Sequence, residues 1–128
     1  MALALGLALA LGVLFSGAAT LAAEKKSRLL RHVVVFKYKE GTGDEKIAEI
    51  EKAFGGLKKT IGEIKAFEKG VNNSPEGLNK GFKHCYLITF DSEKGRDIYL
   101  KHPEHLKFVD LVGPIIEDVF VVDYWAKE

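Results

Sequence analysis

Apolar and polar positions follow two periods along the chain beyond residue 30. From His32 to Tyr38 the period is two, with His32, Val34, Phe36 and Tyr38 on one face and Val33 and Val35 on the other. Both sets are apolar near the centre, which predicts a strand covered on both sides. This chain's own helices can supply one cover, and a second subunit is the candidate for the other. Glu40-Gly41-Thr42-Gly43 reads as a turn, and Thr42 with Glu45 forms a capping-box pattern. Ile47, Ile50, Phe54, Leu57 and Ile61 then recur at three- and four-residue spacing, which predicts a helix with one apolar stripe. Lys46, Glu49, Glu51, Lys52 and Lys58 lie mostly off that stripe, and Gly55-Gly56 should weaken the helix near its end.

Alternation returns at Ile64–Val71, a second strand with a partly polar face, and Asn72–Gly81 has loop composition. Phe82–Phe90 is a third strand, with His84, Tyr86, Ile88 and Phe90 in one set and Cys85, Leu87 and Thr89 in the other. Asp91 or Ser92 caps a helix that runs through Ile98 and Tyr99. Pro103 disfavours helical geometry at His102 and suits the first position of a new helix, so one helix ends near Lys101 and the next starts at Pro103. Leu106, Val109 and Val112 are its expected buried stripe, and Gly113-Pro114 ends it. A last strand falls within Ile115–Trp125, most clearly over Val119–Trp125. The order is β-α-β-β-α-(α)-β, a ferredoxin-like α+β arrangement with a four-stranded antiparallel sheet and helices on one face.

Charge divides the chain. Residues 1–23 carry no charged side chain, so all 19 basic and 18 acidic residues fall in 24–128. The Leu/Ala run from Leu3 to Phe15, followed by small residues, has the pattern of a signal peptide, and a retained N-terminal membrane anchor is the alternative. Residues 24–30 then form a linker and 31–126 the domain. This predicts an exported protein, periplasmic or extracellular, or one that meets a membrane only through the uncleaved segment. The single Cys85 excludes an intrachain disulfide and reads as a packed side chain. A net charge of +1 with both signs interspersed argues against nucleic acid as a partner. The chain has no Gly-rich phosphate loop, zinc spacing or nucleophile elbow, so neither metal nor cofactor is expected.

The candidate chemistry gathers in Tyr99-Leu100-Lys101-His102-Pro103-Glu104-His105, which holds a phenol and two of the chain's four histidines. The other two are His32 and His84. The expectation is that the fold draws all four imidazoles towards one cavity. The competing reading is structural. In it Tyr99 packs on the sheet, His105 braces the turn at Pro103, and His32 is a hydrogen-bonded strand histidine. His102 bonds backbone, and Phe36, Phe54, Tyr86 and Trp125 are core.

Several stretches in register carry a family resemblance: Arg31–Phe36, Ser74–Leu78, Phe82–His84, Arg96–His105 and Glu117–Trp125. Across residues 31–125 the chain resembles the stress-responsive dimeric α/β-barrel (Dabb) domain. That resemblance implies two subunits packed sheet to sheet as a homodimeric barrel. Val33, Val35, Cys85 and Leu87 would face the partner, and His32, Val34, Phe36, His84 and Tyr86 this chain's helices. A plant member of the family closes a polyketide chain by an intramolecular aldol step without a cofactor. By that likeness Tyr99 and His105 are the catalytic pair and His32 assists. His84, Val34, Phe36, Phe54 and Tyr86 contact substrate, with Phe54 standing where that enzyme has a tyrosine. A neutral histidine, ordinarily titrating at about 6.5, can take a proton beside a carbonyl while a tyrosine hydroxyl holds the oxygen. The expected function is binding of a small apolar molecule with a carbonyl or hydroxyl, between sheet and helices. The alternatives are a cofactor-free lyase or cyclase and a structural dimer with no ligand.

Overall fold

The computed structural model describes residues 28–128. The leader and most of the linker lie outside the described residues. The elements are β1 (Leu30–Tyr38), α1 (Asp44–Thr60), β2 (Ala66–Val71), β3 (His84–Phe90), α2 (Glu93–Lys101), α3 (Pro103–Val112), a 3-10 turn (Gly113–Ile115) and β4 (Ile116–Trp125). The strands form one antiparallel sheet in the order β2-β3-β1-β4. Among the described residues no helix is long and apolar enough to cross a membrane.

The helices cover one face of this sheet. Leu30, Val34 and Phe36 of β1 and Tyr86, Ile88 and Phe90 of β3 are buried there. Ile50, Phe54, Leu57 and Ile61 of α1 and Phe108 and Val112 of α3 are buried in the same core. The opposite face carries Val33 and Val35, with Leu87 and Val122 opposed to the first and Cys85 and Phe120 to the second. No helix of the described chain covers it, and Phe120 stays 52% exposed.

Local details depart from expectation for physical reasons. The capping box does not form. The Thr42 hydroxyl donates to the Lys39 carbonyl, and α1 starts behind Gly43 with no side-chain cap. The helix runs through Gly55-Gly56 to Thr60. Gly55 lies under the Phe67 ring, where an added Cβ would come within 3.2 Å of it, so close approach accounts for that glycine. The second strand opens only at Ala66, because Ile64 closes a turn on the Ile61 carbonyl. Phe82 likewise belongs to a turn, bonding the Asn79 carbonyl through its amide, and β3 begins at His84.

The helix break at Pro103 forms as expected. The Ser92 hydroxyl caps α2 by accepting from the Gly95 amide at 2.9 Å. His102 leaves helical geometry at ψ 135° and caps α3, its Nδ1 accepting from the Glu104 amide at 3.1 Å. The buried stripe of α3 differs from the expected one. Phe108 and Val112 are buried, whereas Leu106 is 51% and Val109 44% exposed. His105, Phe108 and Val112 share one helical face at three- and four-residue spacing, and that face lines the space between helix and sheet.

Candidate functional site

Between the sheet and the helices lies a cavity of about 630 Å³, within the range of about 300–1,000 Å³ usual for small-molecule sites. β1 contributes Val34 and Phe36, and the edge strand β4 contributes Val119 and Val121. Phe54 closes it from α1, and Phe108 and Val112 from α3. Its polar lining is His32, Arg96, Asp97, Tyr99, His105 and Asp123.

The break at Pro103 brings Tyr99 and His105 together. Tyr99 lies in the last turn of α2 and His105 in the first turn of α3, and their ring centroids are 4.3 Å apart. Tyr99 is buried, with the His32 ring edge-on at 5.7 Å. His105 Nδ1 lies 3.1 Å from the Leu100 carbonyl oxygen. A carbonyl only accepts, so Nδ1 carries the proton, and in the neutral ring Nε2 holds the lone pair. Burial pulls His105 below the ordinary histidine range. The Leu100 bond opposes this, and His32 and His102 nearby add to the lowering. The ring is therefore neutral near pH 7. Burial foremost, then the Asp123 carboxylate, pushes Tyr99 above the ordinary phenol range, so it stays a hydroxyl donor. An acceptor and a donor thus meet at the polar end of the cavity, beside its apolar walls.

His32 is anchored from the other side. β1 and β4 pair so that His32 stands opposite Asp123 on the same face. His32 Nδ1 and Asp123 Oδ1 are 2.6 Å apart. Asp123 Oδ2 accepts from Arg96 Nη1 at 3.1 Å, and Arg96 Nε donates to Asp97 Oδ1 at 3.0 Å.

The structure brings His32, Tyr99, His105, Val34, Phe36 and Phe54 to one cavity, but the expected convergence of four imidazoles does not occur. His84 shares the helix-facing side of the sheet yet pairs with Phe36, whereas His32 pairs with Ile88. Four residues separate the two levels, about 13 Å along the strands. His84 lines a different cavity, with its ring edge-on to Tyr38 at 5.0 Å and its Nδ1 3.7 Å from Glu51 Oε1. Tyr86 is no lining residue either. It is fully buried behind Phe36 and Phe54, and its hydroxyl meets Tyr38 at 2.9 Å and Glu51 at 3.4 Å. Desolvation raises both phenols. His102 is taken up in capping.

Arg96, Asp97 and Asp123 are lining residues that sequence reasoning missed. Asp123 had a signal: it is a charge inside an apolar strand, in the same period-two set as Val119 and Val121. Arg96 lies three residues before Tyr99, hence on the same helical face.

A four-stranded antiparallel sheet, helices on one side only and a cavity between them define a ferredoxin-like α+β domain. Residues 30–126 match the stress responsive A/B barrel domain, and the chain belongs to that family. It is 34% identical over 95 residues to the stress-response A/B barrel domain-containing protein HS1 of Arabidopsis thaliana, covering 74% of this chain and 87% of HS1. Olivetolic acid cyclase of Cannabis sativa is 25% identical over 99 residues, 77% of this chain and 98% of that enzyme. Among solved structures, the hydroxynitrile lyase of Passiflora edulis superposes with a TM-score of 0.74 at 28% identity, over 80% of this chain and 96% of the lyase. More distant solved proteins, described as dimeric and ferredoxin-like, share the fold.

Proposed function

We propose that the cavity binds a small, mostly apolar molecule carrying one carbonyl or hydroxyl. The reading rests on the Tyr99–His105 pair, a protonated phenol and a neutral imidazole at 4.3 Å between ring centroids, at the polar end of an apolar hollow. The apolar body of the ligand lies against Val34, Phe36, Phe108 and Val121, and its oxygen meets Tyr99 or His105. A space left unfilled by Phe54, Tyr86 and Ile50 weighs against a purely structural role.

A second reading draws on the same pair. With His105 Nε2 as base and the Tyr99 hydroxyl on the carbonyl oxygen, the site has the parts of a cofactor-free lyase or cyclase. The likeness to a cyclase and a hydroxynitrile lyase supports it. Two copies of the chain pair through the open sheet face, where Val33, Val35, Phe120 and Val122 need a cover and one sheet makes half a barrel. Export, or anchoring by residues 1–23, is the proposed setting.

Thermal unfolding with 4-pentylphenol, 4-pentylbenzaldehyde and pentylbenzene tests the binding. A ligand at a hundred times its Kd stabilises by about 2.7 kcal/mol, a rise of roughly 10–20 °C for a domain this size. The phenol or the aldehyde should raise the melting temperature more than pentylbenzene. His105→Ala and Tyr99→Phe should each shrink the difference. No rise with any compound would refute the reading. Turnover is tested separately, by comparing Tyr99→Phe with the parent on whichever compound binds. Light scattering should give twice the chain mass, falling to one chain in Phe120→Asp.

A further inference from the structure

Arg96 links α2 to the edge strand β4 across the polar end of the cavity. Its side chain is 21% exposed, and so is that of Asp123. Asp123 is held at both oxygens, Oδ2 by Arg96 Nη1 at 3.1 Å and Oδ1 by His32 Nδ1 at 2.6 Å. Arg96 is itself oriented by Asp97, through Nε at 3.0 Å. The chain of contacts therefore runs from an exposed helical carboxylate, through a guanidinium and a second carboxylate, to an imidazole on the cavity wall.

We propose that Arg96 is a positioning residue: by clamping one oxygen of Asp123 it aims the other at His32 Nδ1, fixes the ring as the Nδ1–H tautomer and presents Nε2 to the cavity as a second acceptor beside that of His105. The two neutral tautomers of an imidazole are close enough in energy for the hydrogen bond at one nitrogen to choose between them. Asp123 stands on an edge strand, where an unclamped carboxylate rotates towards water. An aspartate facing His32 is thus insufficient alone, and its direction must be set. The fixed fork of a guanidinium suits that task, because it reaches Asp97 and Asp123 at once through different nitrogens. His105 has its own anchor in the Leu100 carbonyl, so both cavity imidazoles turn the same nitrogen inwards. A site with two such acceptors selects ligands whose polar end donates a hydrogen bond, an alcohol or phenol over an ether of the same shape.

This selectivity rests on the ligand-binding reading, but the tautomer does not, so the test starts without ligand. Long-range ¹H–¹⁵N spectra of ¹⁵N-labelled protein at pH 8.5 report the proton position on each histidine ring. The parent should show His32 as a single Nδ1–H form. Arg96→Gln should show a mixture with a substantial Nε2–H share, and Arg96→Lys, which keeps a donor, should lie between. His105 should stay Nδ1–H in all three. An Nε2–H ring in the parent overturns the proposal even if Arg96→Gln fails to fold, and so does an unmixed Nδ1–H ring in Arg96→Gln. With ligand, 4-pentylphenol should bind the parent more tightly than 4-pentylanisole, and Arg96→Gln should narrow that ratio severalfold. Equal affinity of the two compounds for the parent overturns the selectivity. Failure of every compound to bind, with the tautomers as described, would count against the binding function and leave the role of Arg96 standing.

Discussion

Phe54 offers the sharpest test of how the cavity is walled. Its ring meets those of Phe108 at 4.4 Å, Tyr86 at 5.0 Å, Phe67 at 5.2 Å and Phe36 at 5.9 Å, and the residue is 2% exposed. Phe54→Ala removes a fully buried aromatic, whose transfer out of water is worth about 2–3 kcal/mol. The hollow left behind opens onto an existing cavity and cannot close by collapse. At about 24 cal/mol per Å³, a residual void on the order of 50–100 Å³ adds about 1–2 kcal/mol. The expected loss is therefore about 3–5 kcal/mol, roughly 15–30 °C in melting temperature for a domain of this length. Urea denaturation followed by circular dichroism would measure it, with the slope against urea checked for a change in the unfolded state. A loss below about 1 kcal/mol would show that the ring is not the packed wall described, and the cavity shape would have to be redrawn.

Further outcomes follow from the same contacts. His105 is held below the ordinary histidine range, so the unfolded chain takes up that proton first as pH falls. The stability tied to its neutral form is present above about pH 6.5 and is lost on acidification towards the folded-state value. Unfolding midpoints between pH 7 and pH 5 should therefore fall less in His105→Gln than in the parent, and equal falls would contradict the assignment. The desolvated phenols Tyr38, Tyr86 and Tyr99 should ionise late in an alkaline absorbance titration at 295 nm. A full complement of phenolate at pH 10.5 with the fold intact would contradict their burial. Ser92→Ala removes the cap of α2 and should cost about 1 kcal/mol in urea, while Thr42→Ala, whose hydroxyl serves a turn carbonyl, should leave α1 formed.

The strands and their faces were readable because period-two alternation specifies side, and His32, Val34 and Phe36 do face the helices. The break at Pro103 was readable because proline geometry is local. Height along a strand is a different quantity. His32 and His84 share a face, yet only the β1–β3 register shows how far apart they stand. The His32–Asp123 contact needs the β1–β4 register, which joins residues at opposite ends of the domain and leaves no local trace. The stripe of α3 was misread for a related reason. Leu106, Val109 and Val112 match helical spacing about as well as His105, Phe108 and Val112 do. What chooses between them is tertiary packing, in which Phe108 meets the Phe54 ring and Val112 joins the same core.

Occupation of the cavity is tested most directly by following backbone amides of ¹⁵N-labelled protein during titration with 4-pentylphenol. Saturable shifts should gather at Tyr99, Leu100, His105, Val121 and Asp123 and need more ligand to saturate in His105→Ala. Shifts confined to Val35, Cys85 and Leu87 on the open face, or to Tyr38 and His84, or no shifts at all, would contradict it.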